Sequence, residues 1–305
     1  MKHLFEKITA KIDKIVLLFV VFVLGVSFYF VYSLNLSYRK RDRLQSLDNA
    51  LLLTKNMLEE EEQHALSLSL LLAQDKAFLE SFYGSDRESA FKILNRKIET
   101  LAKLQGYRFE VQVHDAHLHT YLRSWDFSIK DVPLASFREG LVLVKKLKKP
   151  LVSIEVGKRL NIKAISPIMQ GERFMGSIEV IEGFAHLKEK LAEEGYALMI
   201  LLDKKYLSVA TTLQHHPLVD GAFVLVDSVY DHQNFDALNT ADLSGLGSYG
   251  YFTRGAYAYG YFEIKNYHND RLGYCIVSEK AAETLPASYH EESYHDTQSG
   301  GITIR

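Results

Sequence analysis

Residues 114–126 read HDAHLHTYLRSWD and bring together three histidines, an arginine and the only tryptophan of the chain. Neutral imidazole is the commonest metal nitrogen, so His114, His117 and His119 raise the prospect of a divalent-metal site. The ligand count argues the other way. No cysteine or second tight cluster accompanies them, an HExxH helix is absent, and His215-His216 has no spaced third ligand. These histidines are therefore expected to face solvent around a turn, and no metal or other cofactor is expected. Catalytic motifs are equally scarce: nucleophile elbows, phosphate loops and nucleotide fingerprints are missing. GLGSYG at 245–250 has glycines without a strand-turn-helix context, and no enzyme is expected.

The second half of the stretch suits recognition better than catalysis. If a strand, a turn at Asp115-Ala116 and a second strand are assumed, side chains alternate between faces. Tyr121, Arg123 and Trp125 then share one face, with Leu122 and Ser124 on the other. An arginine fork beside two aromatics fits a carboxylate or an amphipathic small molecule. The alternative is internal: Arg123 pairs with Glu155 or Glu179 inside the fold and Trp125 fills the core.

The elements that must position these residues follow from patterning. Ile15 to Leu34 is uncharged for twenty residues, long enough to span a bilayer and longer than the apolar region of a cleavable signal. Lysines before it and the Arg39–Arg43 cluster after it nearly tie under the positive-inside rule. Beyond this basic end the chain is net acidic, and its overall charge of −2 offers no field for nucleic acid. Leu44, Leu51, Leu58, Ala65, Leu72 and Leu79 recur at sevens, predicting a long helix over 44–80 laid on its own domain or also on a second copy. Thr54, Glu61 and Asp75 interrupt that seam. After a second helix ending at Gly106, period-two runs predict five strands between 108 and 182, broken by a helix at about 132–148, with helices on one face of the sheet. A helix at 184–194 and a second strand-rich set follow, in which GAYAYGYFEIKNY reads as a core-facing sheet surface or a second pocket. The polar end YHEESYHD is expected to be unstructured. The fold class is α+β.

YLRSWD at 121–126, Phe137-Arg138, IEVGK at 154–158, ISPI at 165–168 and GSIE at 176–179 resemble the double Cache sensor family of the third type. The resemblance runs over about 35–280 and is strongest between 107 and 184. It implies two stacked PAS-like modules with antiparallel sheets on a stalk helix: 1–14 cytoplasmic, 15–34 transmembrane, 35–106 long helices, 107–184 membrane-distal module, 185–280 membrane-proximal module and 281–305 a polar tail. It also implies an inner-membrane protein with a periplasmic or extracellular sensor region binding a small polar or anionic ligand. Arg123 and Trp125 would be the main contacts, with Tyr121, Arg138, Glu155, Lys163 and Glu179 around them. Relatives often carry Arg-Gly where this chain has Lys163-Ala164, which replaces a guanidinium fork by a single-point ammonium. No apolar run follows Ser278, so signalling is expected to pass through a second copy or a separate membrane protein. The rivals are an assembly protein that binds another protein, and a truncated receptor half.

Overall fold

A computed structural model describes residues 2–281 and 288–290. The chain divides into two compact units, 1–48 and 49–305. The first is the leading part of helix α1 (Lys2–Ala73). It carries an apolar window of mean hydropathy 2.0, none of it buried, and is the one helix among the described residues long and apolar enough to cross a membrane.

In the second unit α1 continues to Ala73, with no glycine or proline to stop it from residue 26 onward. It ends where Asp75 turns extended and accepts a hydrogen bond from the Phe78 N–H at 2.9 Å, capping α2 (Lys76–Tyr83). The helix predicted over 44–80 is thus broken by a local cap. Asp86 caps α3 (Arg87–Gln105) in the same way, and Gly106, at φ +83°, closes it. Leu51, Ala65 and Leu72 of the apolar seam are buried and Leu58 is half-buried, and Leu51 and Ser69 of this helix meet the chain's own sheets. Thr54 and Glu61, expected to spoil it, are buried within it. The Thr54 hydroxyl donates to the Ala50 carbonyl at 2.6 Å, and Glu61 accepts from His186 Nδ1 at 2.6 Å.

The first sheet holds β1 (Glu110–Asp115), β2 (Thr120–Arg123), β3 (Leu151–Val156), β4 (Leu160–Gln170) and β5 (Arg173–Glu182), with α4 (Glu139–Leu147) between β2 and β3. Its order is β2-β1-β5-β4-β3, antiparallel throughout. Val111, Val113, Ile178, Val180, Ile162 and Ala164 make one apolar face. That face lies under α1, where Ser69 Oγ and Ser166 Oγ meet at 2.7 Å. The helix expected at 132–148 begins only at Glu139, and it covers the opposite face, so helices flank both sides of this sheet. The charge on that second face, once covered, has to be paired internally, and Arg138, next to the start of α4, pairs with Glu155 and Glu179.

After α5 (Ala185–Glu193) the second sheet is built from β6 (Ala197–Asp203), β7 (Leu218–Val219), β8 (Phe223–Leu225), β9 (Tyr249–Arg254), β10 (Tyr257–Lys265), β11 (Arg271–Lys280) and β12 (Ser288–His290), with α6 (His232–Asn239) between β8 and β9. The order is β12-β9-β10-β11-β6-β8-β7. Tyr257, Tyr259 and Tyr261 pack with Phe252, Tyr274, Phe235 and Leu238 of α6 into one core, so this aromatic run is a core surface. The reverse of β10 is small: a Cβ on Gly260 would stand 2.9 Å from Leu51 Cγ and Cδ1 of α1. Tyr289 and His290, the first residues of the stretch expected to be unstructured, join Ser288 in a strand on β9. The rest of YHEESYHD lies outside the described residues.

Candidate functional site

Register places a polar row across the first sheet. Arg123 pairs with Gln112, Gln112 with Glu179, Glu179 with Ile165 and Ile165 with Leu151, so these five share a face. Two residues along their strands Ser177, Lys163 and Ser153 join the same face, and four along β3 so does Glu155. This is the side covered by α4 and by the loop 124–138. Arg87, the first residue of α3, pins that loop: its guanidinium donates to the carbonyls of Tyr121 at 2.6 Å, Ile129 at 2.9 Å and Phe127, and lies over the Phe127 ring. The loop then returns along β2, with the Thr120 N–H donating to Val132 and the Leu134 N–H to Leu118, and delivers Arg138 to the sheet.

Arg138 is the centre of the buried charge. Its Nη2 donates to Glu179 Oε1 and lies 3.6 Å from Glu155 Oε2, while Lys163 Nζ is 4.0 Å from the same Glu155 oxygen. Ser153 donates to Glu155 Oε1 at 3.1 Å. Burial by itself would push the Glu179 carboxyl up, but Arg138 and then Lys163 outweigh it and hold the carboxyl below its ordinary range. Lys163 is pushed down to about 8 by burial and by Arg138. Gly140 makes this packing possible, since a Cβ there would stand 2.3 Å from Glu155 Oε1.

The expected site residues separate into groups. Arg138, Glu155, Lys163 and Glu179 converge, but on one another. Arg123 makes no ion pair with Glu155 or Glu179. It is half-buried, forms no ion pair among the described residues, and its buried Nε has no hydrogen-bond partner. Trp125 does not fill the core: it follows the end of β2, remains 42% exposed, and its ring lies 5.6 Å from the Arg123 guanidinium. Tyr121 leaves the row. The β1–β2 register shifts between Val113 and His114, so Thr120 pairs with His114 and Tyr121 is the extra residue of a bulge. Thr120 accepts from Gln112 on the polar face, whereas the Tyr121 ring turns to Phe82 of α2, 4.9 Å away and edge-on.

His114 corrects the expectation of solvent-facing histidines. Only His117 is exposed and His119 half-buried; His114 is sealed on the polar face, Nδ1 3.0 Å from Ser177 Oγ and Nε2 3.5 Å from Glu179 Oε2. Burial pushes it down to about 4 against the opposing pull of Glu179, so the ring is neutral at pH 7. Gln112, His114, Ser153 and Ser177 were not singled out as lining residues. The signal for them is the alternation itself, valine with Gln112 and His114 in β1, and isoleucine or valine with Ser177 and Glu179 in β5.

Two antiparallel sheets are thus strung on one long helix, and the first has a covered polar face. The family model described as the double sensory domain of two-component sensor kinases matches residues 40–218, and the chain belongs to that family. Among solved structures it is similar to the extracellular domain of the histidine kinase vpHK1S-Z8, at 15% identity and a TM-score of 0.49, covering 76% of this chain and 89% of that one. The sensor domain of the V. cholerae histidine kinase DctB shares 13% identity at a TM-score of 0.46, covering 80% and 99%. The ligand-binding domain of the Campylobacter jejuni chemoreceptor Tlp3, in complex with 4-methylisoleucine, shares 13% at 0.44, covering 78% and 90%. No curated protein matches the chain.

Proposed function

We propose that the chain is a membrane-anchored extracytoplasmic sensor of a small carboxylate-bearing molecule, bound at the polar face of its first sheet. The observation that carries this reading is the contrast between two arginines. Arg138 is held by Glu179 and Glu155, whereas Arg123 sits half-buried beside that network without a carboxylate. Asp126 and Glu179 act on the Arg123 guanidinium through space without forming an ion pair with it, and a ligand carboxylate would supply that pair with charge-assisted hydrogen bonds. Trp125 supplies an aromatic wall over the same guanidinium.

Binding there would hold the loop 124–138 and, through Arg138, the start of α4. The second sheet touches α4 as well: the Tyr267 hydroxyl, from the β10–β11 turn, donates to Glu139 Oε2 at 3.2 Å. A ligand that favours one arrangement of loop and α4 would thus bias both sheets and α1 beneath them, by no more than its differential affinity for the two arrangements. The exposed apolar stretch of α1 would anchor the chain in the inner membrane and pass the change to a second copy or another membrane protein.

Thermal-shift screening of the full chain in detergent micelles against amino acids, other carboxylates and their neutral amides tests the reading. A carboxylate raises the melting temperature and its amide does not. Arg123→Ala weakens binding more than tenfold, as loss of charge-assisted hydrogen bonds worth ~1.5–3 kcal/mol requires, with unchanged folding. Equal affinity for acid and amide, or for wild type and variant, would falsify the assignment.

A further inference from the structure

A second polar cluster lies away from that face, where α1, the end of α3 and the end of β5 meet. Glu61 and His64 are three apart on α1 and share one side of it; Glu182 is the last residue of β5; Gln105 is the last of α3. One ligand atom from each of Glu61, His64 and Glu182 lies within 4.8 Å of the other two. Glu182 is 4% exposed, and neither of its carboxylate oxygens has a hydrogen-bond partner. The nearby nitrogen groups serve a different oxygen: His186 Nδ1 at 2.6 Å and Lys190 Nζ at 3.6 Å both address Glu61 Oε1. A carboxylate buried beside a second carboxylate, with both oxygens unpaired, is costly unless a cation or a proton is supplied.

We propose that Glu61, His64 and Glu182 bind one divalent transition-metal ion. An imidazole with two carboxylates is the donor set of Zn²⁺ and its first-row neighbours, whereas Ca²⁺ and Mg²⁺ favour oxygen shells. His64 Nδ1 lies 3.6 Å from Glu182 Oε1, close to the edge of about 3.3 Å between ligands of a tetrahedral ion with bonds near 2.0–2.1 Å, and 3.0 Å from the Tyr107 hydroxyl, which must swing off Nδ1 for the ion to enter. For one ion to bridge all three, the wider pairs, up to 4.8 Å apart, would have to close by side-chain rotation. With the metal on Nδ1, the imidazole carries its proton on Nε2, which faces the Gln105 amide: Gln105 Nε2 is 2.8 Å from it, and Gln105 Oε1 is buried without a partner. Half a turn of that amide gives Nε2–H its acceptor and fixes the ring, the usual outer support of a metal-bound histidine. The fourth position is left to water. Such an ion would tie α1 to the end of β5, from which the chain enters α5 and the second sheet, so the site sits on the route between the two sheets and is independent of the ligand face.

The test uses the full chain in detergent, its purification tag removed, stripped with chelator and titrated calorimetrically with ZnCl₂, with CaCl₂ and MgCl₂ in parallel. One Zn²⁺ per chain is expected, with no comparable Ca²⁺ or Mg²⁺ binding. Glu182→Gln, which keeps size and shape, should weaken Zn²⁺ at least tenfold and abolish the Zn²⁺-dependent rise in melting temperature. If that variant does not fold, Glu61→Gln and His64→Gln carry the same expectation. Replacing His215 and His216 by Gln controls for surface imidazoles and should change nothing. Zn²⁺ binding that survives the three site variants, that is lost with His215 and His216, or that is absent from the wild-type chain overturns the proposal.

Discussion

Arg138→Met is the sharpest probe of the buried charge network. The substitution keeps an unbranched stem and removes the one cation bonded to Glu179, leaving that carboxylate with neutral His114 at 3.5 Å and no bonded cation. Breaking a buried pair by deleting one partner typically costs about 3–5 kcal/mol. Protonation sets a ceiling on the electrostatic share. A carboxyl that is ionised in the unfolded chain with pKa 4.5 can be neutralised for about 3 kcal/mol at pH 7 and under ~1 kcal/mol at pH 5. In the wild type the folded pKa of Glu179 is depressed, so its stabilisation is present above the unfolded value and lost as pH falls through the folded one. Without Arg138 the shift reverses sign, and the variant loses stability as pH rises from 4.5. Urea unfolding of the full chain, followed by tyrosine and tryptophan fluorescence, should therefore show Arg138→Met some 3 kcal/mol below wild type at pH 7 and much closer to it at pH 5. Adding Glu179→Gln should restore most of the deficit at pH 7. A deficit under ~1 kcal/mol at pH 7, no narrowing at pH 5, or a double variant no better than the single one would refute the assignment of Arg138 as the compensating charge.

Two further outcomes follow from the packing. His114 has a folded pKa of about 4 against 6.5 unfolded, so it takes nothing from stability above 6.5 and progressively more as pH falls towards 4, with a slope of up to about 1.4 kcal/mol per pH unit. His114→Gln should flatten that part of the urea midpoint profile between pH 6.5 and 5, and an unchanged slope would show that another group titrates. Gly260→Ala drives a methyl group onto Leu51 at 2.9 Å and should cost about 1–3 kcal/mol through overpacking. Leu51→Ala in the same chain should make the glycine substitution nearly neutral in thermal melts; additive losses would mean that β10 and α1 do not meet there.

Most of the first sheet was legible because its strands alternate strongly: the five strands expected between 108 and 182 are present as β1 to β5. Alternation fails where the register is irregular. One extra residue in β2 turned Tyr121 from the polar face to Phe82, and nothing in YLRSWD marks the slip. Trp125 was assigned to the same face only by extending the strand two residues past its end. Arg138, Glu155, Lys163 and Glu179 were read as neighbours, yet their mutual pairing depends on where a fifteen-residue loop returns, which period and composition do not encode. Glu61 looked like a defect in a heptad because its partners, His186 and Lys190, lie on α5, far along the chain. Helix α6 was missed for a similar reason, since its eight residues show too few turns for a period to emerge.

The shared helix also governs how the chain is made. α1 leaves the ribosome before either sheet exists, yet the serine on it that meets Ser166 waits 97 residues for its partner, and Leu51 waits roughly 200 for Gly260. At ~5–20 residues per second the Leu51 end of the seam stays uncovered for on the order of 10–40 s. Throughout that interval a line of leucines lies open to other chains, and contacts so distant in sequence close slowly. Synthesis itself is therefore the stage at which this fold is most exposed to aggregation, and holding factors that mask an apolar helix until the last strands emerge should raise the yield of folded chain more than any added stability of the finished sheets.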